Sequence, residues 1–203
     1  MKALVPYITT WSTEKLIPTT VVAHPRSGIA FADETLGDRD ERGVLWQRRP
    51  SQPGSGRPLF GQVHPLRQRR AMRRLLCQVC GGPADHTDRG VLWVLKDHRD
   101  DWPNWPEQMA VTEPPICVPC VRTSTRHCPA LRKGNVTVRV RHSTVSGVYG
   151  TYYHPGKPFP SQTASTILTF DDPAIRWICA GQLVRGLFDC TIVTPETLAD
   201  PGS

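Results

Sequence analysis

No stretch of eighteen apolar residues occurs anywhere in the 203-residue chain, which excludes a membrane-spanning helix. The N-terminus, MKALVPYITTWSTEK, has only a short apolar run and no small-residue cleavage site, so no secretory leader is expected. A cytoplasmic protein with no membrane partner is the expectation. The Gly-rich phosphate loop, the Gly-x-Ser-x-Gly nucleophile elbow and the His-Glu-x-x-His protease helix are all missing. Their absence removes the most recognisable enzyme signatures but leaves open an enzyme whose pocket carries no named motif. No internal repeat is present. Acidic side chains are wholly missing from residues 117–142, a stretch that holds six bases.

That last gap is part of an uneven charge layout. The net charge is +7. Residues 40–80 contribute +7, the stretch 81–116 contributes −4 and 117–142 contributes +6. Twenty of the 25 bases are arginine, whose planar fork suits phosphate or carboxylate. A phosphate-bearing partner, DNA or RNA, is therefore one expectation. The candidate contacts are Arg67, Arg69, Arg70, Arg73 and Arg74 before the first cysteine pair, and Arg122, Arg126, Arg132 and Lys133 after the second. An alternative is that these bases are only a solvated face.

Seven cysteines are present, and four fall into two Cys-x-x-Cys pairs, Cys77/Cys80 and Cys117/Cys120. Gly81 follows the first pair, and a Pro-Pro-Ile turn precedes the second. Two residues of spacing let a tight knuckle aim both thiolates at one ion, and two such pairs complete a closed Cys₄ shell. Structural Zn²⁺ is the expected cofactor. Cys179 and Cys190 sit in apolar runs and read as small buried hydrophobes, while Cys128 lies beside His127.

Strand patterns fill the N-terminal third: LVPYITTW, TTVVAH, GIAFADE and GVLWQ, separated by Pro, Gly and Asp turn signals. Residues 67–76 predict an amphipathic helix with arginines on one side and Ala71, Met72, Leu75 and Leu76 on the other. GVLWVL predicts a strand, 99–116 a polar loop, and Cys117 with Pro119 the start of a short helix ending near Cys128. NVTVRVRH, GVYGTYY and STILTF predict strands. Asp172 and Pro173 then signal a helix over AIRWICAGQLVRGLF, with Ile175, Ile178, Leu183 and Leu187 on its apolar face. CTIV predicts a last strand, and 194–203 a frayed tail. The expected fold class is α+β: a β-rich core with an inserted treble-clef-like Cys₄ zinc finger and a C-terminal amphipathic helix. The expected parts are a β-rich segment 1–66, a basic helix plus zinc finger at 67–129, and an α+β segment 130–203 packing with the first.

CQVCGG, GVLWVLKDH, Asn104 and ICVPC, spanning about fifty residues, together resemble a degenerate form of the zinc-stapled HNH nuclease motif, itself a treble clef. The resemblance implies His98 as general base, Asp97 as ligand to a divalent metal and Asn104 as orienting residue. Val121 stands where that family places a further metal-binding side chain. Three functions stay open on the residues alone. One is a zinc module that binds nucleic acid without catalysis. Another is an enzyme, either a divergent HNH-type nuclease or a catalyst on a small acidic molecule. The third is an adaptor that docks a protein through Trp102 and Trp105.

Overall fold

A computed structural model describes residues 4–156, 158–194 and 198. The tail expected at 194–203 falls outside these residues except for Thr194 and Leu198. In chain order the strands and helices are β1 (Thr9–Trp11), β2 (Val21–His24), β3 (Gly28–Phe31), β4 (Leu45–Trp46), β5 (Pro58–Val63) and α1 (Pro65–Arg74). There follow β6 (His86–Thr87), β7 (Gly90–Lys96), β8 (Ala110–Val111), α2 (Val118–His127) and α3 (Pro129–Arg132). The chain closes with β9 (Asn135–His154), β10 (Ser161–Thr169) and β11 (Ile178–Val193). Strands β4-β11-β9-β7-β6, with β10 on β9 and β8 on β11, make a seven-stranded sheet.

Two compact units divide the chain. One comprises Met1–Ile8, Arg67–Val145 and Arg185–Ser203, and the other Thr9–Leu66 and Ser146–Val184. The long strands β9 and β11 each contribute residues to both.

The first unit carries both cysteine pairs. Its β7 runs antiparallel to β9 from Val91 opposite Val140 to Lys96 opposite Asn135. Every residue of β7 but the last is buried, so the strand reads as an unbroken apolar run, as expected where both faces are covered. One face packs Val91, Trp93 and Leu95 with Val136, Val138, Val140, Val111, Trp105 and Leu187. The other face packs Leu92 and Val94 with Ile116, Val121 and two of the cysteines. Gly90 makes this approach possible, because a Cβ there would stand 2.2 Å from the carbonyl oxygen of Val140.

In the second unit β2 and β3 form a hairpin, β1 pairs with β5, β10 pairs with β9, and β4 lies parallel to β11 at Cys179 and Ala180. Ile29, Phe31, Leu45 and Cys179 form its buried cluster. Burial pushes the Cys179 thiol up to about 12, consistent with a small packed hydrophobe.

The C-terminal amphipathic helix expected from Asp172 onward is not formed, and the α+β class falls with it. Asp172 does cap a turn, its Oδ1 accepting from the amide of Ala174 at 2.8 Å. That turn is a 3₁₀ helix of five residues, Pro173–Trp177, and Ile178–Val193 continues as strand β11. The physical reason is two-sided burial. All residues from Ile178 to Leu187 except Gln182 are buried, and a short apolar run of this kind cannot be told from a buried helix by periodicity alone. Gly181 and Gly186 tip the balance, since each costs a helix interior about 1 kcal/mol relative to alanine. The fold is β-rich, with α-helix among the described residues confined to α1, α2 and α3. No helix among the described residues is long and apolar enough to cross a membrane.

Candidate metal centre

Cys77 lies three residues past the C-terminal end of α1. Leu75, at φ 50°, turns the chain out of the helix. The amide of Gly81 then donates to the carbonyl of Cys77 at 2.9 Å, and the amide of Cys77 donates to the carbonyl of Gly82 at 2.7 Å. Gly81 adopts φ 75°, and a Cβ on it would lie 2.9 Å from Cδ2 of Tyr7. A left-handed residue packed against an aromatic ring is glycine's place. Cys117 is the N-terminal cap of α2, and Cys120 lies in the first turn behind Pro119. Ile116 links the second pair to the sheet: its amide donates to Leu92 at 2.9 Å, and the amide of Gln78 donates to Pro115 at 2.9 Å.

These constraints bring the four sulfurs of Cys77, Cys80, Cys117 and Cys120 within 4.8 Å of one another. Cys80 Sγ and Cys117 Sγ are 3.8 Å apart. A tetrahedral zinc with sulfur bonds of about 2.3 Å has edges of roughly 3.8 Å, the spacing already held by Cys80 and Cys117, so the set could close on such an ion. Cys77 is fully buried and Cys80 is exposed. Burial pushes the Cys77 thiol up, but the backbone amides of Cys80, Cys117 and Val79 outweigh it and hold the group below the ordinary thiol value. Burial raises Cys117 and Cys120. A thiolate is thus favoured at one corner, and a cation is what would let the others ionise beside it.

The other expected site residues fall outside this cluster. The carboxylate of Asp97 is gripped by its neighbour Arg99, with Nε 3.0 Å from Oδ1 and Nη2 2.7 Å from Oδ2. His98 Nδ1 meets Asp101 Oδ2 at 2.5 Å. Asn104 is exposed at φ 62°. Among the described residues the four cysteines are the one group of three or more metal-ligating side chains, and it includes neither Asp97 nor His98. Cys128 caps the end of α2, its amide donating to Ser124.

The bases divide by exposure. Arg70, Arg73, Arg74, Arg122, Arg126, Arg132 and Lys133 are exposed, Arg69 is half-buried, and Arg67 is buried at 5% exposure. Of the two tryptophans, Trp105 is packed in the sheet core at 6% and Trp102 is 39% exposed. Two structural partners escaped the sequence pattern. Buried Arg139 forms an ion pair with Asp85, just after the first knuckle. Glu107 receives the amides of Asp189 and Cys190, both at 3.0 Å. No local motif marks either contact, because the partners lie 54 and more than 80 positions apart.

No protein-family model matches the chain, and no curated protein or solved structure matches it.

Proposed function

We propose that the protein is a zinc-stabilised module that binds nucleic acid, with the metal in a structural role. Zinc is favoured over other ions because four thiolates gathered on one ion form a closed, soft shell with no open position. The order of knuckle, β6–β7 hairpin and helix α2 supports a treble-clef arrangement for the segment around it. The observation that carries the nucleic-acid reading is the exposed run Arg122, Arg126, Arg132 and Lys133, which continues directly from the second cysteine pair in a stretch without one acid. Exposed Arg70, Arg73 and Arg74 lead into the first pair in the same way. Metal binding would fix both basic segments relative to each other, since each is anchored at one end by a ligand. The contacts are of the phosphate-positioning kind, strong at low salt and weakly selective for sequence.

The test is a titration of metal-loaded protein against labelled duplex and single-stranded oligonucleotides at several salt concentrations. Affinity should fall steeply with salt, and Arg122→Ala combined with Arg126→Ala should reduce the logarithmic salt slope by about 2. Absence of binding at low salt, or a slope unchanged in the double variant, would overturn the nucleic-acid reading. Metal content measured on the same sample tests the zinc assignment separately.

A further inference from the structure

A second feature of the first unit lies in the acidic stretch between the two cysteine pairs. The loop that follows β7 borders an open cavity of about 400 Å³, lined chiefly by Trp102, Asn104, Glu107, Gln108 and Met109. Such a volume lies within the range of small-ligand sites. The loop is tied to β11 and to itself by backbone bonds. Gln108 donates to Leu187 and Leu187 donates back to Met109, both at 2.9 Å, and the amide of Glu107 donates to Asn104 at 2.9 Å. Buried Trp105 roots the loop in the core. Asn104 and Gln108 both adopt left-handed backbone conformations, at φ 62° and 61°, which non-glycine residues hold only under constraint.

We propose that this cavity binds an organic cation, the guanidinium or ammonium head of a small molecule or of a basic peptide side chain. Its one charged lining residue is Glu107. The two backbone amides that Glu107 receives, one on each carboxylate oxygen, fix its orientation without cancelling its charge. Trp102 supplies the aromatic surface on which cations rest. Its ring is stacked with that of His98, centroids 6.5 Å apart and planes 19° from parallel, and His98 is in turn held by Asp101. The side-chain oxygens of Asn104 and Gln108 offer further neutral acceptors. Within residues 97–107 the sequence carries Asp97, Asp100, Asp101 and Glu107 against a single base, Arg99, which is itself bound to Asp97. That field attracts cations and repels phosphate, so the cation site is independent of the nucleic-acid proposal and would survive its failure.

The experiment titrates the full chain with N-acetyl-arginine amide and with its neutral isostere N-acetyl-citrulline amide, following tryptophan fluorescence and amide NMR shifts. The arginine derivative should bind saturably, and the citrulline derivative about tenfold more weakly. Trp102→Ala should weaken the arginine complex by a similar factor, and its exposure makes it a variant that folds. Glu107→Gln tests the charge, with the amides of Asp189 and Cys190 as internal monitors of the loop. A short arginine-containing peptide forms the second arm. Tighter binding of the peptide identifies a protein side chain as the source, and equal binding identifies a free small cation. Equal affinity for arginine and citrulline derivatives, no saturable binding, or an affinity indifferent to Trp102→Ala would overturn the proposal.

Discussion

Replacing Asp38 by asparagine should destabilise the second unit by about 2–3 kcal/mol at neutral pH, and the loss should fade as the pH is lowered. Asp38 is 6% exposed, and both its oxygens accept hydrogen bonds. Oδ1 accepts from Arg48 Nε at 2.7 Å, while Oδ2 accepts from Arg48 Nη2 at 2.6 Å and from the amide of Thr35 at 2.6 Å. The Arg48 hydrogen bonds, foremost, outweigh desolvation and hold the Asp38 carboxyl at about 2, against an ordinary value of 3.8. A carboxyl depressed on folding contributes stability that is present above its unfolded value and lost as pH falls through its folded one. The shift corresponds to roughly 2 kcal/mol at neutral pH, of which about half should remain at pH 3 and almost none at pH 1. Asparagine cannot ionise, and it points an amide at donors. Arg48 keeps its contact with Asp33 at 2.8 Å, but Asp33 is 71% exposed and compensates little. Urea unfolding of wild type and variant, followed through hydrogen exchange of the buried amides of β3 at several pH values, measures the difference. Equal midpoints at neutral pH, or a gap that stays constant down to pH 2, would refute the assignment.

Removing the metal from zinc-loaded protein with a chelator should strip exchange protection from the amides of Gly81, Ile116 and Cys120 while β2–β3 keeps its own. Structural zinc sites contribute on the order of 10 kcal/mol, so protection unchanged by chelation would mean that the thiols hold their geometry without an ion. Gly81→Ala should cost about 2 kcal/mol, from the left-handed backbone and the encounter with Tyr7, and should weaken zinc affinity in a competition titration. A variant with wild-type affinity would show that the knuckle does not need that conformation.

The four-cysteine cluster was legible because its signal is local. Two residues between thiols, a glycine after one pair and a proline in the first turn after the other specify knuckle and helix start with no help from distant chain. The same is true of α1 and of the cap at Asp172. What lay beyond the sequence was set by neighbours far along the chain. Whether Ile178–Val193 became a strand depended on partners covering both its faces, and a run of apolar residues carries no record of how many faces will be covered. Arg67 and Trp105 carry the same residue types as exposed Arg70 and Trp102, yet packing buried one of each pair. Asp97 and His98 stand together in sequence as an acid–base pair would, but Arg99 grips the Asp97 carboxylate and Asp101 takes Nδ1 of His98. The cavity beside Trp102 exists because Glu107 and Gln108 are bonded to β11 some eighty residues away. Spacing along the chain determined which residues could hold a metal. Only the tertiary structure decided which charges and rings face solvent, because exposure is a property of what packs against a side chain.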